Sequence, residues 1–142
     1  MRYLVLAAAV LAAAPSQAAD VFPSGRWYAE GSENGLQDQL IIENRADGTF
    51  AKIVRDSTDC GAIQTWEESG TWTLDADRYT EVTRTVAGNT VDSASPEFND
   101  MFVIKVIDSD HATMFDPKTG STWPMQRVAT DFTMPPPAQC AS

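Results

Sequence analysis

The chain has 142 residues, with ten Lys and Arg against twenty Asp and Glu, a formal net charge of −10. That balance argues against nucleic acid, whose phosphates need a basic face, and against docking on anionic membranes. The acids are scattered along the chain and not gathered in one block, which reads as a solvated, self-repelling surface.

The first element reads as a secretory signal. Arg2 gives a short positive start, Leu4 to Ala14 is an unbroken apolar run, and Ser16-Gln17-Ala18 supplies the small residues of a cleavage site before Ala19. The run is too short for the roughly 20 residues of a spanning helix. Residues 1–18 are therefore expected to be a signal peptide, with no membrane insertion after cleavage and a periplasmic or secreted product. Removing them leaves 124 of the 142 residues and loses Arg2, so nine basic and twenty acidic groups give −11. This is the length of one domain, expected over 19–130, followed by a Pro-rich C-terminal tail at 131–142. An oxidising compartment lets Cys60 and Cys140 form the single disulfide two cysteines allow. It would close a span of 80 residues and stabilise by about 4 kcal/mol in the chain-entropy model. The tail with Pro135-Pro136-Pro137 reads as an end held by that bond.

Beyond the signal, turn clusters recur and no helical period persists. Strands are expected at Arg26 to Gly31, at Gln39 to Arg45 and at Thr49 to Asp56, the last two joined by Ala46-Asp47-Gly48, where Asp-Gly accepts positive φ. Ile63 to Glu68 and Thr71 to Leu74 flank Ser69-Gly70, read as a bulge or a tight turn. Tyr79 to Val86 follows Asp75-Ala76-Asp77, and Val91 to Asn99 is the longest polar connection. Asp100 to Ile107, Ala112 to Phe115 and Ser121 to Val128 complete the set. Links this short forbid parallel crossovers, so the fold class is all-β and antiparallel. About eight strands can curl into an up-and-down barrel that removes both sheet edges, an open sandwich being the alternative.

Gly25-Arg26-Trp27 opens the first strand and Arg127 lies near the end of the last. This pair resembles the signature of lipocalins and the wider calycin group, and Ala46-Asp47-Gly48-Thr49-Phe50 and Glu68-Ser69-Gly70-Thr71-Trp72 look like phrases of short bacterial lipocalin-like domains. The resemblance implies a barrel plugged at one end by Trp27, with Arg127 covering its indole by cation–π contact. A disulfide tying the C-terminal segment to the barrel suits the same family. It also implies a small hydrophobic or amphipathic ligand in the barrel.

Catalytic signals are thin. His111 is the only histidine and stands in a turn, Asp108-Ser109-Asp110-His111, which reads as an exposed turn histidine. Glu67 and Glu68 are strand neighbours and point to opposite faces, while Asp75 and Asp77 bracket a turn. Asp92, Glu97 and Asp100 lack EF-hand spacing, and no phosphate loop, nucleotide fingerprint or nucleophile elbow occurs. No catalytic residue, metal or cofactor is expected. The aromatics are richer, and Tyr28, Phe50, Trp66, Trp72, Phe102 and Trp123 are taken as lumen residues for a ligand. Tyr28, Gln64 and Arg84 are candidate polar anchors. The expectation is a binding protein without catalysis. The alternative is a module for a protein partner, a protease inhibitor or envelope-assembly factor, acting through the loops around Asn34 and Asp92.

Overall fold

A computed structural model describes residues 22–33, 35–58, 61 and 63–137. The expected signal peptide, Asn34, and both cysteines of the expected disulfide lie outside these residues.

Among the described residues nine strands run in chain order: β1 (Gly25–Glu33), β2 (Leu36–Asn44), β3 (Thr49–Ser57), β4 (Ile63–Asp75), β5 (Arg78–Val86), β6 (Asn89–Thr90), β7 (Asn99–Val106), β8 (His111–Phe115) and β9 (Thr122–Arg127). Every pairing is antiparallel, as the short links require. β1 pairs with β9 and β4 with β5, so eight strands close into a barrel and the two-residue β6 stays outside on β5. Closure rules out the open sandwich.

The local chemistry matches the turns. Gly48 takes φ +83° between β2 and β3, and Asp47 Oδ1 accepts from Thr49 N at 2.9 Å and from Thr49 Oγ1 at 2.6 Å. Ser69-Gly70 is a bulge, not a turn: the β4–β5 register shifts there and β4 runs through it as one thirteen-residue strand. A Cβ on Gly70 would stand 2.0 Å from the Val82 carbonyl oxygen, so the bent strand needs glycine at this point.

One end of the barrel is packed shut. Trp27 is fully buried, donates its Nε1 proton to the Pro23 carbonyl at 3.1 Å, and meets the Phe22 ring edge-on at 5.1 Å. Trp27 and Arg127 are register partners, and the guanidinium lies 4.5 Å from the indole centroid. Arg127 also donates from Nη1 to the Ser24 carbonyl and from Nε to that of Ser109. Ile42, Phe50, Tyr79, Ile104 and Ala112 join Trp27 in the core.

The Pro-rich tail is described through Pro137. Its described part packs along the outside of the barrel: Phe132 lies 5.1 Å from the Tyr28 ring, and the Pro135 carbonyl accepts from Gln39 Nε2 and Arg55 Nη1, both at 3.1 Å. These contacts cover the outward face of β2 and explain how Gln39, which points away from the lumen, is fully buried.

Candidate functional site

β-Pleat alternation decides which side chains enter the barrel. On β2 these are Leu36, Asp38, Leu40 and Ile42; on β3, Lys52, Val54 and Asp56; on β4, Trp66 and Glu68; on β5, Tyr79 and Glu81. Toward the end opposite Trp27 they enclose a cavity of about 360 Å³, completed by residues of β7, β8 and β9 that include Phe102, Met114, Trp123 and Met125. Its volume falls at the lower end of the roughly 300–1,000 Å³ of small-molecule pockets.

Apolar and charged side chains share the lining, and the charge is one-sided. Six carboxylates line the space (Asp38, Asp56, Glu68, Glu81, Asp100 and Asp116), with Lys52 the one base among the described lining residues. Lys52 Nζ stands 2.8 Å from Glu81 Oε2 and 3.0 Å from Glu68 Oε2, and the three side chains are only 10%, 3% and 17% exposed. Burial pulls the Lys52 pKa down, but the two carboxylates outweigh it and hold it above the ordinary 10.5. With the folded value raised, this charge stabilises the fold fully below pH 10.5 and loses that contribution only as pH climbs through the folded value. Glu68 further accepts from Trp66 Nε1 at 2.7 Å, which fixes one wall. Asp38 and Asp56 face each other directly across the β2–β3 ladder. Asp100 is met at 3.1 Å by Lys118.

Trp123 owes its place to a glycine. A Cβ on Gly31 would fall 1.7 Å from Trp123 Cδ1, so the indole lies against bare backbone of β1. The Phe102 ring sits 6.2 Å from it.

Of the six aromatic residues expected in the lumen, Trp66, Phe102 and Trp123 line the cavity. Phe50 is buried in the packed core beyond it. Trp72 packs against that core, and its Nε1 donates toward the Arg45 and Thr49 carbonyls at the β2–β3 turn. Tyr28 is a correction: it follows Trp27, which points inward, so the pleat sends it outside. There its hydroxyl donates to Glu30 Oε2 at 2.5 Å and accepts from Gln39 Nε2 at 2.9 Å. Burial first, then the Glu30 hydrogen bond, pushes its pKa up to about 12. Arg84 is also outside, exposed and bonded to Ser93 Oγ at 2.8 Å, and Gln64 is exposed on β4 without lining the cavity.

His111 begins β8 at the Trp27 end, with Nδ1 2.9 Å from Asp108 and half its side chain exposed. Glu67 and Glu68 do face opposite ways, Glu67 to solvent and Glu68 to the lumen. Asp92 is exposed and its carboxylate accepts from Ala94 N. Lys52 and Glu81 were missed by sequence reasoning. The available signal was their spacing, since Phe50-Lys52-Val54 and Tyr79-Glu81-Thr83 each put a charge two residues from inward-facing neighbours. No protein-family model and no curated protein sequence matches the chain.

Proposed function

We propose that this protein is an exported binding protein that holds a small amphipathic molecule in the open half of its barrel and does no chemistry on it. One observation carries the reading: a cavity of about 360 Å³, walled by Leu40, Val54, Trp66, Phe102, Met114 and Trp123, lies in a barrel whose other end is filled. An apolar cavity lined by aromatic rings with a few polar groups is the usual form of a small-molecule site. The Gly25-Arg26-Trp27 and Arg127 contact supports the kinship with lipocalin-like barrels suggested by the sequence. Export rests on the pattern of residues 1–18.

The test is calorimetric titration with n-octanol, a neutral probe with an apolar tail, followed in parallel by tryptophan fluorescence. Saturable one-to-one binding, lost in a folded Leu40→Trp variant whose added ring fills the lumen, supports the reading. Absence of binding overturns it, as does binding that Leu40→Trp leaves intact.

A further inference from the structure

The ligand's charge can be read from the cavity that would hold it. We propose that the barrel selects small organic cations with an apolar tail, the ammonium or guanidinium head held by the lumen carboxylates and the tail laid on Trp66, Phe102 and Trp123. This deepens the binding role above and rests on it.

Three observations on the cavity carry the assignment. The first is the balance of charge: six lining carboxylates face one lysine, and that lysine is already committed at 2.8 and 3.0 Å to Glu81 and Glu68. An anionic head would enter a space of its own sign, with no uncommitted base among the described lining residues. Low-dielectric walls around one sign of charge also focus the field on an incoming cation. The second is the register that sets Asp38 directly opposite Asp56 on the lumen face. That pairing sets two carboxylates side by side on the lumen face, where a cationic head can meet both. The third is the wall itself, since tryptophan faces attract organic cations, the more so when water is excluded. Among the described residues no group of three or more His, Cys, Asp or Glu is placed to hold a metal ion. Aromatic and aliphatic walls suit a cation that carries a carbon tail, small enough for about 360 Å³.

The experiment is calorimetry on the full protein at pH 7 with three probes of equal tail: octylammonium, n-octanol and octanoate. The expected order is octylammonium tightest by about tenfold or more, then octanol, then octanoate, a tenfold step being about 1.4 kcal/mol. In the Asp38→Asn/Asp56→Asn double variant octylammonium should bind within about threefold of octanol, both probes being measured on that variant, where the full step is the tenfold one. Should that variant fail to fold, salt gives the same answer on the unaltered protein. Between about 0.01 M and 1 M the screening length falls from roughly 30 to 3 Å, so octylammonium should weaken and octanol should not. Octanol matching or exceeding octylammonium, or octanoate binding tightest, overturns the charge assignment and leaves the binding role standing. No binding of any of the three overturns the binding role, and the charge assignment with it.

Discussion

Replacing Lys52 by methionine keeps most of the side chain's volume and removes its charge, leaving Glu81 and Glu68 facing each other in the lumen. Glu81 is the group at risk, because its side chain is only 3% exposed and Lys52 is its ion-pair partner at 2.8 Å. Removing one member of a buried ion pair costs about 3–5 kcal/mol, much of it the penalty of a stranded charge. We expect Lys52→Met to lose that much at pH 7 in urea unfolding, and Lys52→Met/Glu81→Gln to recover most of it. Acid should also relieve the single variant. A carboxylate buried without its cation has a folded pKa above its unfolded value of about 4.3, so the folded state binds the extra proton and stability falls as pH rises from there. The deficit of Lys52→Met relative to the parent should therefore be smaller at pH 5 than at pH 7. A loss under about 1 kcal/mol at pH 7, against the 3–5 expected for a broken buried pair, or a deficit that does not change with pH, would refute the view that the triad is a desolvated unit.

Two further perturbations test the closed end and the burial of two tyrosines, Tyr28 on the barrel exterior and Tyr79 within it. Trp27→Ala removes a fully buried ring together with its contacts to Phe22, Pro23 and Arg127, and should cost about 3–5 kcal/mol in the same assay. A loss below about 1 kcal/mol would mean the barrel does not depend on that plug. Tyr28, pushed up to about 12, and Tyr79, raised well above 10.0 by burial and then by Glu81, should both stay protonated as a folded sample passes pH 10. Raised values mean their neutral forms stabilise the fold below pH 10, and that contribution is lost as pH rises through the folded values. Tyrosinate absorbance in an alkaline titration reads this directly, with Tyr28→Phe and Tyr79→Phe each removing one late-titrating group. Ionisation of either residue near pH 10 in folded protein would show it is open to water.

Most of the strand plan was legible because period-two alternation and turn residues are local properties. Asp47-Gly48 set its hairpin, and Trp27 and Arg127 met because the first and last strands of a closed barrel must pair. Tyr28 was misplaced for a reason the same rule supplies: adjacent residues cannot both point inward, and Trp27 takes the lumen side. The charged lumen was harder to see. Lys52 pairs with Glu68 across the β3–β4 ladder while Glu81 reaches them from β5, and such a triad depends on three registers that no single strand encodes. In the sequence Glu68 and Glu81 count among the scattered acids, and nothing marks Lys52 as their partner. The contacts of residues 131–137 were not legible either, since Phe132 and Pro135 meet side chains on the outer faces of β1, β2 and β3 that lie far away in the chain.

The two halves of the barrel answer to different demands. At the Trp27 end, rings and aliphatic side chains pack as interiors normally do. Beyond them the same eight strands keep an ion triad, facing aspartates and open space. Well-packed apolar residues in place of a buried ion cluster are often neutral or stabilising, and cavities cost stability roughly with their volume. A barrel shaped for stability alone would have filled both halves alike. Gly31 shows the opposite tendency at a single residue, giving up a side chain on β1 so that the Trp123 indole can lie against the backbone and line the cavity. The stability forgone in the open half is thus confined to the residues that surround the cavity, which is where a binding role would require it.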